Sequence, residues 1–228
     1  MTKPAVLFLD LDETLYPHSS GLWERIGERI QRYIELALHV PAEEAERLRA
    51  RYLQTYGTTL QGLRAEHQID PIAYMDFIHD VPVESLLRPD FELKKMLARI
   101  TVPRIIFTNA PASHALRVVK SLDIEDEIDD IIDILRLDYA NKPRSEAYAR
   151  ALRLAGDPDP HECVFVDDRI DNLQPAAALG MRTILVGQGN LPPDAQIVHI
   201  PDITKLLEFV PELANTRDPS GERGHARG

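Results

Sequence analysis

Ala5-Val6-Leu7-Phe8-Leu9-Asp10-Leu11-Asp12-Glu13-Thr14-Leu15 opens on an unbroken apolar run and passes into acids. A run without polar alternation reads as a strand buried on both faces, the pattern of a parallel sheet. Ile105–Phe107, Cys163–Val166 and Thr183–Val186 repeat it, and Ile131–Leu135, interrupted by Asp133, is a weaker candidate. Amphipathic helices are predicted between these runs. Asp90 can cap a helix burying Phe91, Leu93, Met96 and Leu97, and Ser113 precedes one carrying Leu116, Val119 and Leu122. Pro143 suits a helix N-terminus with Gly156 as its stop, and Asn172–Leu179 is closed by Gly180. Alternating strands and helices predict a doubly wound α/β fold, Rossmann-like with three α/β/α layers.

One stretch breaks the alternation. Between Ser20 and Leu86 the pattern is helical throughout. Leu22, Ile26, Ile30, Tyr33, Ile34 and Ala37 recur at helical spacing, Pro41 opens a second helix, and Asp70-Pro71 caps a third. The expected organisation is an α/β core of residues 1–17 plus 87–213, an inserted all-α lobe of 18–86, and a polar, disordered tail at 214–228.

The chain has 228 residues, with 37 acids against 26 bases and a formal charge of −11. Such a body repels nucleic-acid backbones at long range, so no nucleic acid is expected as a partner. A single cysteine, Cys163, excludes an internal disulfide framework and fits a reducing compartment. The leading apolar run is too short to span a membrane or to serve as a signal peptide, so no membrane partner and a cytoplasmic location are expected. Nothing in the pattern specifies an oligomeric state.

Ligands of open parallel sheets bind beyond the carboxyl ends of the strands. Asp10 ends the first strand with Asp12 two residues on, Thr108-Asn109 ends the second, Asp167-Asp168 ends a later one, and Lys142 stands in a loop before a helix. Four carboxylates on one sheet edge raise one another's proton affinity unless a cation intervenes, and a hard cation with oxygen ligands, Mg2+, is the natural partner beside phosphate. The chemistry suggests roles. Asp10 can attack phosphorus and carry the phosphoryl group as an aspartyl phosphate. Asp12 can protonate the leaving alkoxide and then deprotonate water. Thr108, Asn109 and Lys142 can stabilise charge on the transferring group.

These residues together resemble the haloacid dehalogenase-like superfamily from about Ala5 to Gly187. Asp10-Leu11-Asp12-Glu13-Thr14, Thr108, Lys142, and Val166-Asp167-Asp168 with Asn172 look like its four motifs in order. The resemblance implies a magnesium site made by the Asp10 carboxylate, the Asp12 backbone carbonyl and Asp168, with Asp167 acting directly or through water. Members that cleave carbon–halogen bonds lack an acid at the position of Asp12, so its presence favours phosphoryl transfer. Leu11–Pro17, Tyr56–Leu63 and Ile106–Ala110 further resemble pyrimidine 5′-nucleotidases, in which the helical insertion is a cap over the active site. That implies a small phosphate ester as substrate, with nucleoside 5′-monophosphates first, and Thr58, Thr59 and Gln61 as candidate substrate contacts. Asp10–Leu15 also resembles phosphatases of phosphoserine peptides, and the cap position is shared with sugar phosphomutases and sugar phosphatases. A non-catalytic scaffold on the same fold is a further alternative.

Several residues near the motifs have ordinary readings. His18, His114 and Arg144 suit either a surface or a substrate contact. Trp23 and Tyr56 read as core of the helical lobe, Cys163 as strand core, and Asp171 as solvated. Asn172 reads as orienting the metal site.

Overall fold

β1 (Val6–Leu9) is the hub of a six-stranded, wholly parallel sheet. The computed structural model describes residues 4–187 and 197–214. After β1 come five helices, α1 (Leu22–Leu38), α2 (Ala42–Tyr56), α3 (Thr59–His67), α4 (Pro71–His79) and α5 (Val83–Leu86). The chain then runs α6 (Phe91–Leu97), β2 (Arg104–Phe107), α7 (Ala112–Ser121), β3 (Asp130–Ile132) and α8 (Ser145–Leu154). It ends with β4 (Cys163–Asp167), α9 (Ile170–Ala178), β5 (Arg182–Val186), β6 (Val198–Ile200) and α10 (Leu206–Phe209).

Strand order is β3-β2-β1-β4-β5-β6. Phe8 pairs in register with Ile105 on one side and Phe165 on the other. The order of winding therefore reverses between β1 and β4, which opens a crevice beyond their carboxyl ends, the place where such sheets bind ligands. Successive side chains sort to opposite faces, as the two-residue strand period demands. Leu7, Leu9, Ile106, Val164 and Val166 pack with Leu93 and Leu97 of α6 and Val118 of α7. Val6, Phe8, Ile105, Phe107 and Phe165 pack with Tyr148 of α8 and Leu173 of α9. Phe107, Tyr148 and Phe165 make edge-on and tilted ring contacts at 5.4–6.0 Å, directly beneath the crevice.

The strand runs from the sequence lie where expected, with two differences. β3 stops at Ile132 rather than reaching Leu135, because the Asp133 carboxylate accepts hydrogen bonds from the Ala112 and Arg136 amides and turns the chain out of the sheet. β6, only three residues with His199 exposed, carried no apolar run to signal it. Helix starts also shift. α7 begins at Ala112 behind an extended Pro111, ahead of Ser113. Pro143 lies upstream of α8, because Arg144 is still extended (φ −70°, ψ 134°) and the helix starts at Ser145. The tail expected to be disordered lies, beyond Ala214, outside the described residues.

α1–α5 form a helical lobe. α1 buries Leu22, Ile26, Ile30 and Ile34 against α2 and α4, and α2 packs on α3. α3 is a separate helix that the periodicity did not resolve. The Thr58 hydroxyl caps it by accepting the Gln61 amide at 3.3 Å. Polar contacts seat the lobe on the core. Arg117 of α7 donates to the carbonyls of His79 (3.1 Å) and Val81 (2.7 Å) and to Glu84. The Gln61 side-chain Nε2 donates to the Tyr139 carbonyl, and the Arg64 guanidinium lies 4.1 Å from the Tyr139 ring centre.

Gly62 sets how closely α2 and α3 approach. A Cβ there would lie 2.2 Å from Cγ of Tyr52 and 2.6 Å from its Cβ, atoms near the backbone that cannot swing aside. Alanine is the better helix former by about 1 kcal/mol, but overpacking of this kind costs about 1–3 kcal/mol and outweighs it. Gly62→Ala is therefore expected to lower stability in urea denaturation, whereas Gly156→Ala, with nothing within 4 Å of its Cβ, is expected to cost only its left-handed backbone strain.

Candidate active site

Lys142 organises the crevice. Its side chain is 1% exposed, and its ammonium donates to Asp10 Oδ1 at 2.6 Å and to Asp167 Oδ2 at 2.8 Å. The ammonium also stands 5.1 and 5.2 Å from the ring centres of Phe107 and Phe165, whose π faces favour a cation. Burial alone would pull its pKa down, but Asp10 and Asp167 outweigh that and hold it raised, so it is a permanent cation. Asn109 fixes the loop that delivers it: its Nδ2 donates to the Lys142 carbonyl at 3.1 Å and its Oδ1 accepts the Lys142 amide at 2.9 Å. The sequence placed Asn109 among the phosphate-stabilising donors; in the structure its side chain serves the Lys142 backbone.

Asp10 follows β1 directly. It is pushed up to about 7 by burial, with Lys142 pulling it back and Asp167 pushing further. Its Oδ2 accepts from the Thr14 hydroxyl at 3.2 Å. Asp167, at the end of β4, has both oxygens engaged, by the Arg169 amide (2.9 Å), by Asn172 Nδ2 (3.0 and 3.1 Å) and by Lys142. Asp168 has no hydrogen-bond donor among the described residues, and burial, then Asp10 and Asp167, push it up to about 8. Oxygen atoms of Asp10, Asp167 and Asp168 all lie within 4.8 Å of one another. One ammonium against three acids leaves excess negative charge, and the donors are all hard oxygens. This set fits a cation of the Mg2+ kind, and Asp168, which no donor engages among the described residues, fits it better than Asp167.

Asp12 departs from the expected four-acid cluster. Its Oδ1 accepts from the Tyr16 hydroxyl at 2.6 Å and from His114 Nε2 at 3.0 Å, which draws the carboxylate away from the other three. Burial would raise Asp12, but His114 and Tyr16 outweigh it and hold its pKa below the usual carboxylate value. His114, which the sequence left as either a surface residue or a substrate contact, is fully buried on α7, and its Nδ1 has no partner among the described residues. His79, at the end of α4, lies over it with ring centres 4.6 Å apart. His79 Nδ1 donates to the Met75 carbonyl at 2.9 Å, and burial together with His114 lowers its pKa to about 3, so it stays neutral. A helix-spaced histidine in isolation carries no signal of such a role; the lobe and core have to be docked before the pair exists.

Thr108 is buried at the end of β2 and accepts the Ala110 amide at 3.0 Å. It faces a cavity of about 500 Å3 that runs from Asp10, Asp12, Lys142 and Asp168 into the lobe. Thr58 and Thr59 line that cavity, although the Thr58 hydroxyl is used as a helix cap, and Gln61 points to Tyr139 instead. Trp23 packs against the lobe core, as expected, and is also a cavity wall. His18 is exposed between Glu13 and Glu24, Arg144 donates to the Tyr56 carbonyl at 3.3 Å, and Tyr56 bonds Glu66 at 3.0 Å. Cys163 is buried in β4, and Asp171 is exposed beside Arg169.

A family model of haloacid dehalogenase-like hydrolases matches residues 4–180, and the chain belongs to that family. Phosphate metabolism protein 8 of Saccharomyces cerevisiae is 29% identical over 194 residues, 79% of this chain and 60% of that protein. The chain thus spans less than two thirds of that relative. A HAD phosphatase from Thermococcus onnurineus superposes with a TM-score of 0.62 at 20% identity, over 93% of this chain and all of that one. L-2-haloacid dehalogenase from Xanthobacter autotrophicus superposes at 0.60 and 17% identity, over 92% of this chain and all of that one. Such similarities define the shared fold. Among the described residues no helix is long and apolar enough to cross a membrane.

Removing the Lys142 charge strands two buried carboxylates. Lys142→Met is expected to lose about 3–5 kcal/mol of stability, the usual penalty for breaking a buried ion pair on one side, measurable by urea denaturation.

Proposed function

We propose that this hydrolase is a Mg2+-dependent phosphomonoesterase, acting through an aspartyl phosphate on Asp10. The observation that carries the reading is the division between two neighbouring carboxylates. Asp10 is held by Lys142 within the acid cluster, while Asp12 is held apart by His114 and Tyr16. That division supports attack by one group and proton transfer by the other, which is what hydrolysis of an alkyl phosphate in two steps requires.

In this reading the Asp10 carboxylate, the Asp12 backbone carbonyl and Asp168 hold the cation, with Asp167 in support. The cation supplies charge neutralisation to the phosphoryl oxygens. Lys142 and the Thr108 hydroxyl bind those oxygens, and Lys142 also keeps Asp10 aimed by its 2.6 Å contact. Asp12 is anionic in the free protein, so it takes up its proton once a negatively charged phosphoryl group sits beside it. It passes that proton to the departing alkoxide and retrieves one from the water that opens the aspartyl phosphate. The helical lobe of residues 18–86 acts as a cap, with the core of 1–17 plus 87–213 carrying the chemistry. A closed cap excludes bulk water and large substrates, which favours small phosphorylated metabolites, nucleoside 5′-monophosphates foremost, over phosphopeptides.

Phosphate release should be measured over UMP, CMP, sugar phosphates and a phosphoserine peptide, with Mg2+ and with chelator. Turnover of a small ester that chelator abolishes is expected. Fast turnover of the peptide alone, or of nothing, would overturn the reading. Asp10→Asn is expected to remove activity while leaving the thermal transition in place. Asp12→Asn is expected to lower kcat/KM by about 100-fold or more on an alkyl phosphate but much less on p-nitrophenyl phosphate, whose leaving group needs no proton. Equal losses on both would remove Asp12 from the acid role.

A further inference from the structure

The cavity does not end at the acids. Its inner part is walled by Trp23, Ile26, Ile30, Leu60, Met75 and Ile78, and into this apolar wall the lobe sets one guanidinium, that of Arg49 on α2. Arg49 Nη1 donates to the Gly27 carbonyl of α1 at 3.2 Å, and no carboxylate lies within ion-pair distance of it among the described residues. Elsewhere in the lobe arginines find acids: Arg29 pairs with Asp80, Arg32 with Glu35 and Arg51 with Glu66. A half-buried guanidinium holding five donors and bonded through one of them has unspent capacity facing the cavity.

The lobe is built to keep it there. Gly27 sits inside α1, where glycine costs about 1 kcal/mol relative to alanine. A Cβ at that position would lie 3.2 Å from Arg49 Nη2 and 3.4 Å from Nη1, so the missing side chain is the bed on which the guanidinium rests. Beside it the buried hydroxyls of Tyr74 and Thr59 face one another and also line the cavity. Nothing in the phosphoryl-transfer machinery uses this group, and as a bare core filler a charged side chain would be a poor choice.

We propose that Arg49, with Tyr74 and Thr59, is a distal recognition site. It takes an acceptor oxygen, a ring carbonyl or a carboxylate, at the end of the leaving group opposite the phosphate. The substrate class is then a phosphomonoester with a flat or apolar body and a terminal oxygen acceptor, and specificity is set by the lobe rather than by the acids. The inference rests on the phosphomonoesterase reading for its orientation, and its test separates the two.

Trp23 is the sole tryptophan and a cavity wall, so its fluorescence reports binding without turnover. UMP (carbonyl), 4-carboxyphenyl phosphate (carboxylate) and phenyl phosphate (no distal acceptor) would be titrated into the full chain and assayed for phosphate release. The wild type is expected to bind at least one acceptor-bearing ester more tightly than phenyl phosphate. Arg49→Met is expected to weaken that binding by about 30-fold, the loss of a charge-assisted hydrogen bond, and to leave phenyl phosphate within about threefold. Arg49→Lys should recover part of the loss. Gly27→Ala, which keeps the charge but crowds its bed, should weaken the same ligand and spare phenyl phosphate. Which ester responds names the source of the oxygen. Equal weakening of all three esters, no effect on any, or a wild type that shows no preference would overturn the proposal. Arg49-dependent binding without any phosphate release would leave the distal site standing and remove the phosphomonoesterase reading.

Discussion

The contact of the Lys142 ammonium with Asp10 and Asp167 is the constraint on which the rest of the site depends. It joins three segments far apart in the chain, the end of β1, the end of β4 and the loop before α8, at the one crevice where the sheet's winding reverses. A buried ammonium of this kind is tolerable only because two carboxylates and two aromatic faces surround it. In turn the ammonium draws the Asp10 pKa down against the burial that raises it. The Phe107–Tyr148–Phe165 cluster is therefore more than filling, since it is the dielectric floor under the charges.

The acids divide their surroundings in a way that a shared sheet edge does not require. Asp167 is saturated by Asn172, Arg169 and Lys142, and Asp168 beside it is left open. Asp12 is pulled off to a phenol and an imidazole. One apolar strand followed by two acids at alternate positions thus sends its carboxylates to different electrical environments, because the chain leaves the strand at Asp10.

Four of the strands were legible because buried parallel strands advertise themselves as apolar runs, and the acids and Lys142 were legible because they stand at the ends of those runs. β6 was not, since three residues with an exposed histidine make no pattern. β3 was over-read because Asp133, an apparent interruption, is the residue that ends it. Asn109 lines the cavity and its side chain also clamps the Lys142 backbone, a second role that depends on a partner 33 positions away. The partners of His114 and the cavity-facing side of Trp23 were not legible in one dimension, because they arise where the helical lobe meets the core.

The position of β1 in the sheet has a consequence for how the molecule comes into being. Leu7 is flanked by Arg104 and Val164, so the central strand is synthesised long before either neighbour exists. A ribosome that has delivered the lobe and β2 has still not made Lys142 or Asp167. Asp10 and its apolar strand are then without their partners, and only the last strands complete both the sheet and the charge balance. The candidate site therefore assembles late, since a nascent chain that has not reached Asp167 and Asp168 cannot hold it.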